Sequence, residues 1–243
     1  MKRKWLRSFL GGLASNDKNN RRSHRRLSIE SLEPRCLLTA LTVNSLEDIT
    51  LAADGKVTLR EAIIAANTDS MTDLGQTGSG ADQITFDPSL FSGGPQNLLL
   101  GGAELAITSA LTITGPGAST LTIDAQDNSR IFNIDDGNAG QVAVGISGLT
   151  LTGGGNVTLG LGGAIHNSEN LTLSTLTVSD NSAGGGGGIY NSGRLTITDS
   201  TISGNTANSG GYNEPHGGGG IRNSGTLTVT SSTISGNISN DDF

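Results

Sequence analysis

Three polar side chains of different chemistry stand at one position of a repeated pattern. His166, Tyr190 and Arg222 each follow a Gly-Ala-Ile or Gly-Gly-Ile tripeptide, and each precedes an asparagine. An imidazole can exchange protons near neutral pH, a phenol can donate a hydrogen bond, and a guanidinium can pair with a carboxylate. The column therefore suggests a small polar strip that binds a ligand. A solvated face without a ligand is the simpler interpretation.

A second set of candidate binding residues lies in an unusually long connector. Residues 206–218 separate two copies of the repeat, whereas the preceding connector, 182–186, is much shorter. The long connector holds Tyr212, Glu214 and His216. Inserted loops of repeat proteins often carry function. A tolerated insertion without a role is the alternative.

Polysaccharide cleavage would need different residues, namely paired acids or a base beside a calcium ion held by aspartates. Asp180 and Asp199 fall at different positions of the repeat, so they should not stack into a pair. A single Trp and two Tyr leave few aromatic platforms for sugar rings. We therefore expect no catalytic site, no cofactor and no metal. The acids and arginines available for such chemistry are Asp124, Asp127, Asp135, Asp136, Asp180, Asp199, Arg130, Arg194 and Arg222.

The charge of the chain is divided sharply along its length. Residues 1–40 hold ten Lys or Arg and three acids, whereas the remainder holds five Lys or Arg and nineteen acids. A body this acidic repels phosphate, which argues against nucleic-acid binding. The single cysteine, Cys36, excludes an intramolecular disulfide. No apolar run approaches the ~18 residues that a membrane-spanning helix needs.

The elements that position these residues come from a repeat. Three blocks of nineteen residues align without a gap, at 163–181, 187–205 and 219–237. Within them apolar residues such as Leu195 and Ile197 alternate with Thr or Ser, which is the period of a strand with one buried face. No segment long enough for a crossover helix separates the short strands. Coils of three short strands stacked about 4.8 Å apart explain the pattern, so we expect an all-β fold, a parallel β-helix.

Two further columns of the repeat contain only asparagine, and stacked amides can hydrogen-bond along a solenoid axis. These columns are interpreted as structural ladders, with calcium or sugar binding as the alternative. The glycine runs beside them, 184–188 and 217–220, are expected to supply corner backbone angles that a Cβ would forbid. The two columns are Asn167, Asn191 and Asn223, and Asn181, Asn205 and Asn237.

Earlier apolar pairs carry the same alternation. The roughly 140 residues from about residue 98 onward, at about 24 residues per coil, predict roughly six coils. The stretch before them has a different character. Thr58 and Glu61 have the spacing of a capping box, which predicts a helix at about 58–67 that ends at Asn67. The pairs are Leu105/Ile107, Leu111/Ile113, Leu121/Ile123, Val142/Val144 and Leu149/Leu151.

Several motifs resemble those of known protein groups. Residues 32–38, Leu-Glu-Pro-Arg-Cys-Leu-Leu, resemble the LEPR-x-LL leader of large exported bacterial surface proteins, which implies export. The segments TLREAIIAAN, ADQITFDPSLF and LAITSALTITGPG, in that order, resemble the N-terminal part of bacterial β-helix repeat proteins, where a helix closes the end of a right-handed solenoid. The tetrapeptide at 162–165 resembles the GGAI signature of polymorphic outer-membrane proteins, although aliphatic residues replace the Phe of their companion signature.

Together these features predict three regions: a basic, disordered export leader (1–40), a cap region (41–97) and β-helix repeats (98–243). The resemblance implies a protein located at the cell surface, associated with the outer membrane or extracellular. We expect a structural or adhesive role without enzymatic activity, with cell-surface polysaccharide or surface proteins as partners. A carbohydrate-active β-helix enzyme of the pectin or polysaccharide lyase kind, or a remnant of one, is the alternative.

The end of the sequence leads to one more expectation. Six residues follow Asn237, and three of them are Asn or Asp. Solenoids normally protect their last coil with a polar or helical cap. We therefore expect either a piece of a longer protein or an open last coil that self-associates weakly, with Asp241 and Asp242 opposing pairing at low salt.

Overall fold

The computed structural model describes residues 40–51, 53–155, 160–208 and 217–240. Within these ranges the chain forms 21 strands, one α-helix and one short 3-10 helix at Pro88–Phe91. All paired strands run parallel. The predicted parallel β-helix is confirmed.

Three sheets form the sides of the solenoid, and within each sheet the strands stack in chain order. Sheet I contains β1 (Ala40–Val43), β2 (Asp82–Phe86), β5 (Leu111–Thr114), β8 (Ala143–Ser147), β11 (Asn170–Ser174), β15 (Arg194–Thr198) and β19 (Thr226–Thr230). Sheet II contains β3 (Gln96–Leu99), β6 (Leu121–Asp124), β9 (Thr150–Thr152), β12 (Thr177–Ser179), β16 (Thr201–Ser203) and β20 (Thr233–Ser235). Sheet III contains β4 (Leu105–Ile107), β7 (Phe132–Ile134), β10 (Ile165–Asn167), β14 (Ile189–Asn191) and β18 (Ile221–Asn223).

The later coils contain a fourth strand that the repeat did not predict. It forms a short sheet of β13 (Ser182–Ala183), β17 (Thr206–Asn208) and β21 (Ile238–Asn240). The expectation of three strands per coil is therefore wrong for these coils. In the middle strand Ala207 is buried and Thr206 is half-buried. Because this strand has only one apolar position, it lacks the alternating pair by which the other strands could be recognised.

The number of coils is smaller than predicted. Five coils, not six, continue from β4 onward, because the first ones are longer than 24 residues. Leu105 pairs with Phe132, 27 positions later, and Leu111 pairs with Val144, 33 positions later. One predicted pair also shifts, because Val144 and Ile146 point inward on β8 and Val142 precedes the strand.

Two of the aspartates considered as candidates for catalysis lie at corners between sheets, where they have a backbone role. In the four coils from β8 onward, one residue has a positive φ at the corner from sheet I to sheet II, and another has a positive φ where sheet II ends. Asp199 lies at the first corner with φ 48°, and Asp180 at the second with φ 56°. Asp, Asn and Gly tolerate this left-handed conformation best. The corner residues are Gly148, Thr175, Asp199 and Ser231, and Gly153, Asp180, Gly204 and Gly236.

The glycine runs have two roles, of which the sequence indicated only one. Gly186 has φ +66°, a corner angle that favours glycine. Gly188 does not have a positive φ. A Cβ on Gly188 would instead lie 2.7 Å from Gly220 O of the next coil and 3.0 Å from the side-chain amide carbon of Asn205. This glycine is needed for close approach, because it leaves room for an asparagine column.

The α-helix, α1 (Leu59–Thr68), begins with the predicted capping box. The Glu61 amide donates to Thr58 Oγ1 at 3.2 Å, and the Thr58 amide donates to Glu61 Oε2 at 2.9 Å. The helix ends at Thr68, one residue after the predicted Asn67, and Asp69 follows as the C-cap in the left-handed conformation. The Asn67 side chain instead faces β4. Its Nδ2 donates to Ala106 O at 2.8 Å, and its Oδ1 accepts from the Thr108 amide at 2.9 Å. Contacts with β1, β2 and β4 place α1 beside the first strands.

Candidate functional site: a polar column on sheet III

The three residues of the predicted strip lie side by side on sheet III. Strand register pairs His166 with Tyr190 and Tyr190 with Arg222. Their neighbours Ile165 and Ile189 are fully buried, whereas the strip residues are half-buried on the outer side of the sheet. The alternation of the strands thus directs the strip outward.

The aromatic rings of the strip contact each other face to face. The ring centroids of His166 and Tyr190 are 5.3 Å apart, with 12° between the ring planes. Arg222 Cζ lies 5.9 Å from the Tyr190 centroid, within the range of a cation–π contact. Because neighbours occupy the facing sides of these rings, the strip can offer a ligand mainly its edge atoms.

The column continues toward the N-terminus through residues that the sequence did not single out. Asn133 pairs in register with His166, and its Oδ1 lies 2.9 Å from His166 Nδ1. Asn133 Nδ2 donates to Glu104 Oε1 at 3.0 Å, and Glu104 Oε2 pairs with Arg130 at 2.8 Å. Hydrogen bonds and one ion pair therefore connect His166 to Arg130 through Asn133 and Glu104. We call Glu104, Arg130, Asn133, His166, Tyr190 and Arg222 the polar column.

Electrostatics at the N-terminal half of the polar column favour a neutral histidine. Burial lowers the pKa of His166, and the Arg130 cation lowers it further, while Asp135 and Glu104 act in the opposite direction. Asn133 Nδ2 is used on Glu104, so Asn133 Oδ1 must accept from the histidine. The hydrogen therefore lies on Nδ1, and Nε2 of His166 is left as an acceptor. Burial also lowers the pKa of Arg130, and its pairing with Glu104 opposes that shift.

Arg222, at the C-terminal end of the polar column, has a different environment. Among the described residues the ion pairs are Lys56–Glu47, Arg60–Asp48 and Arg130–Glu104. None of them includes Arg222, and its Nη1 is buried without a hydrogen-bond partner. A buried donor without a partner costs about 1–3 kcal/mol, so it requires an explanation.

The second candidate set cannot be placed in the same way. Tyr212, Glu214 and His216 lie outside the residues that the structure describes. They remain binding residues predicted from the sequence alone.

The asparagine columns have a clear structural role. Asn167 Nδ2 donates to Asn191 Oδ1 at 2.7 Å, and Asn181 Nδ2 donates to Asn205 Oδ1 at 2.9 Å. Further bonds join Asn191 to Asn223 at 2.6 Å, and Asn205 to Asn237 at 2.9 Å. The members at 167, 181, 191 and 205 are buried. Since these amides bind one another and the backbone, the coils explain them without a ligand.

A cluster of acids, which the sequence did not reveal as a group, lies at the corner before sheet I. Oxygens of Asp135, Asp136 and Glu169 lie within 4.8 Å of one another. Glu169 is buried, and its two oxygens accept from the amides of Asp136 at 3.2 Å and Val142 at 2.8 Å. The carboxylate therefore holds the 136–142 loop against the coil. This partnering accounts for Glu169 without a metal.

Comparisons with known proteins do not assign this chain to a family. The chain is a parallel β-helix, but no family model, no curated protein and no solved structure was found to match it. In the described ranges there is no helix with the length and apolar content required to cross a bilayer.

Proposed function

We propose that this chain is an exported β-helix protein of the cell surface, associated with the outer membrane or extracellular, with a structural or adhesive role and no enzymatic activity. The observation that carries the proposal is the polar column, which presents linked side chains along several coils of a rigid solenoid. Rigid repeat surfaces suit extended binding contacts. The LEPR-x-LL leader and the GGAI tetrapeptide support export and surface location, and cell-surface polysaccharide or a surface protein is the partner that we propose.

The pairing of the carboxylates favours this role over carbohydrate cleavage. Glu104 is engaged by Arg130 and Asn133, and Glu169 by two backbone amides. A general acid or base must be able to reach a proton of the substrate. Asp180 and Asp199 occupy separate corners, so they do not form the paired acids of a glycosidase.

Cell fractionation with determination of the mature N-terminus tests location directly. We expect the protein in the outer-membrane or extracellular fraction, with processing near Thr39–Ala40. Full-length protein confined to the cytosol would contradict export. For the adhesive role, cells expressing Tyr190→Ala should bind less to a matrix of their own surface polysaccharide than cells expressing Thr196→Ala, a control on sheet I. Equal binding would contradict it.

We also propose weak self-association of this chain through the face formed by β18, β19, β20 and β21. The side chains of Val229, Ile234 and Ile238 are exposed on that face. Strand edges and apolar side chains promote pairing with further strands. Light scattering should show a mass that rises with concentration, more steeply at high salt. A strict monomer at both salt concentrations would contradict this proposal.

A further inference from the structure

Among the residues that the structure describes, Arg222 has no ion-pair partner. From residue 98 to the end of the chain the basic residues are Arg130, Arg194 and Arg222. Arg130 is paired with Glu104, and Arg194 is exposed on sheet I, where water can solvate it. Arg222 is half-buried, and one of its nitrogens is removed from water without a hydrogen-bond acceptor. This partly desolvated cation should therefore gain more from an anion bound at its other donors than the exposed Arg194 would.

The surroundings of Arg222 hold it in place without neutralising it. Its guanidinium carbon lies 5.9 Å from the Tyr190 centroid, and Tyr190 is stacked on His166. A cation–π contact keeps the guanidinium beside the ring without using its hydrogen-bond donors. Because Nη1 is buried, the pair of donors that can face a ligand is Nε and Nη2, and such a pair matches a carboxylate through two parallel bonds.

The neighbouring atoms complement the hydroxyl groups of a sugar. The Tyr190 phenol can donate or accept, and Nε2 of neutral His166 accepts. Register places these side chains on successive coils, about 4.8 Å apart, which is close to the length of one residue in an extended polysaccharide. Along the solenoid axis the order is therefore the acceptor Nε2 of His166, the hydroxyl of Tyr190 and the cation of Arg222.

We propose that His166, Tyr190 and Arg222 form a subsite for an acidic saccharide, in which Arg222 binds the carboxylate of a uronate residue and Tyr190 and His166 bind hydroxyls of the two preceding sugars. The inference rests on the adhesive role proposed above and names its ligand class. Residues 41–243 carry five bases and nineteen acids, so their overall field repels polyanions. Binding of an acidic saccharide would thus require a local site.

The test is isothermal titration of the purified full chain with a tetrasaccharide that contains glucuronate, and with the same tetrasaccharide after reduction of its carboxyl groups. We expect the acidic form to bind more tightly. Arg222→Gln should weaken its binding about ten- to a hundredfold, the effect of losing a hydrogen bond to a charged group. Arg194→Gln removes the same charge from sheet I and should change affinity less than about twofold, as screened surface charges do. Arg222→Lys should lie between wild type and Arg222→Gln, because it keeps the charge and loses the pair of donors.

Three results would overturn the subsite. They are no binding of the acidic tetrasaccharide, equal binding of its reduced form, and equal losses in Arg222→Gln and Arg194→Gln. A hexaglutamate peptide that binds as tightly would assign the site to acidic peptides and also overturn the saccharide. Thermal unfolding of each variant checks that it is folded. Because the titration uses purified protein, its failure is distinct from failure of the surface location, which fractionation tests.

Discussion

Coils 187–205 and 219–237 have nearly the same sequence pattern and very different burial. Ile202 in the first is 1% exposed, whereas Ile234, its partner in strand register, is 49% exposed. Ile197 and Val229 show the same contrast, at 0% and 39%. The difference does not lie in the residue types, because both coils alternate aliphatic residues with Thr and Ser. It shows that a coil of this solenoid is buried by its neighbours on both sides.

The largest expected difference between the two coils comes from placing a charge at matched positions. Ile202→Asp should reduce the free energy of unfolding by several kcal/mol, because a buried carboxylate without a partner is strongly unfavourable. Ile234→Asp should cost less than about 1 kcal/mol, as surface substitutions do. Thr196→Asp, on the outer side of sheet I, should be nearly silent. Urea unfolding measures all three, and equal losses for Ile202→Asp and Thr196→Asp would show that the faces are assigned wrongly.

The asparagine columns should show the same contrast at a smaller magnitude. Asn205 accepts from the amide of Asn181 at 3.1 Å and donates to Val178 O at 2.9 Å. Asn205→Leu should therefore cost about 3 kcal/mol, since it leaves buried groups without partners. Asn237→Leu should cost about 1 kcal/mol, because water can reach the last coil. Similar losses at both positions, measured by urea unfolding, would contradict the dependence on neighbouring coils.

A corner residue offers a stabilising change within an inner coil. Thr175 has φ 52°, a conformation that is unfavourable for a β-branched residue, while Gly148 occupies the same corner one coil earlier. Thr175→Gly should raise the free energy of unfolding by about 1 kcal/mol through relief of this strain. Gly204→Ala is the reciprocal control, and it should destabilise because its Cβ would lie 2.7 Å from Asp180 Oδ1. A loss of stability in Thr175→Gly would refute the corner assignment.

The smallest expected effect is a pH dependence from His166 on an inner coil. Its folded-state pKa lies below the ordinary value of 6.5, because burial and Arg130 disfavour the imidazolium. The stabilisation from neutral His166 is therefore present above pH 6.5 and is lost as the pH falls through the folded-state pKa. Between about pH 7.5 and 5.0 the wild type should lose more stability than His166→Gln. An equal loss in both proteins would show that His166 does not contribute.

Strand register could be predicted from the sequence only where successive repeat blocks align without gaps. Blocks 163–181, 187–205 and 219–237 align without gaps, so the register of His166, Tyr190 and Arg222 could be anticipated. Glu104 and Arg130 could not be linked to that column, because the earlier coils have irregular lengths and the two residues are 26 positions apart in sequence. The Gly and Asp residues at most corners are compatible with a left-handed conformation, but Thr175 and Ser231 give no such indication. That Arg222 Nη1 has no hydrogen-bond partner in the described part of the chain could be learned only from atomic contacts.

Hydrogen exchange measured coil by coil tests the central claim most directly, namely that each coil is stabilised by neighbours on both sides. The amides of β14, β15 and β16 should be protected far more strongly than those of β18, β19 and β20 in dilute protein, where the last coil is not covered by a second copy. Uniform protection across the two coils would contradict the account.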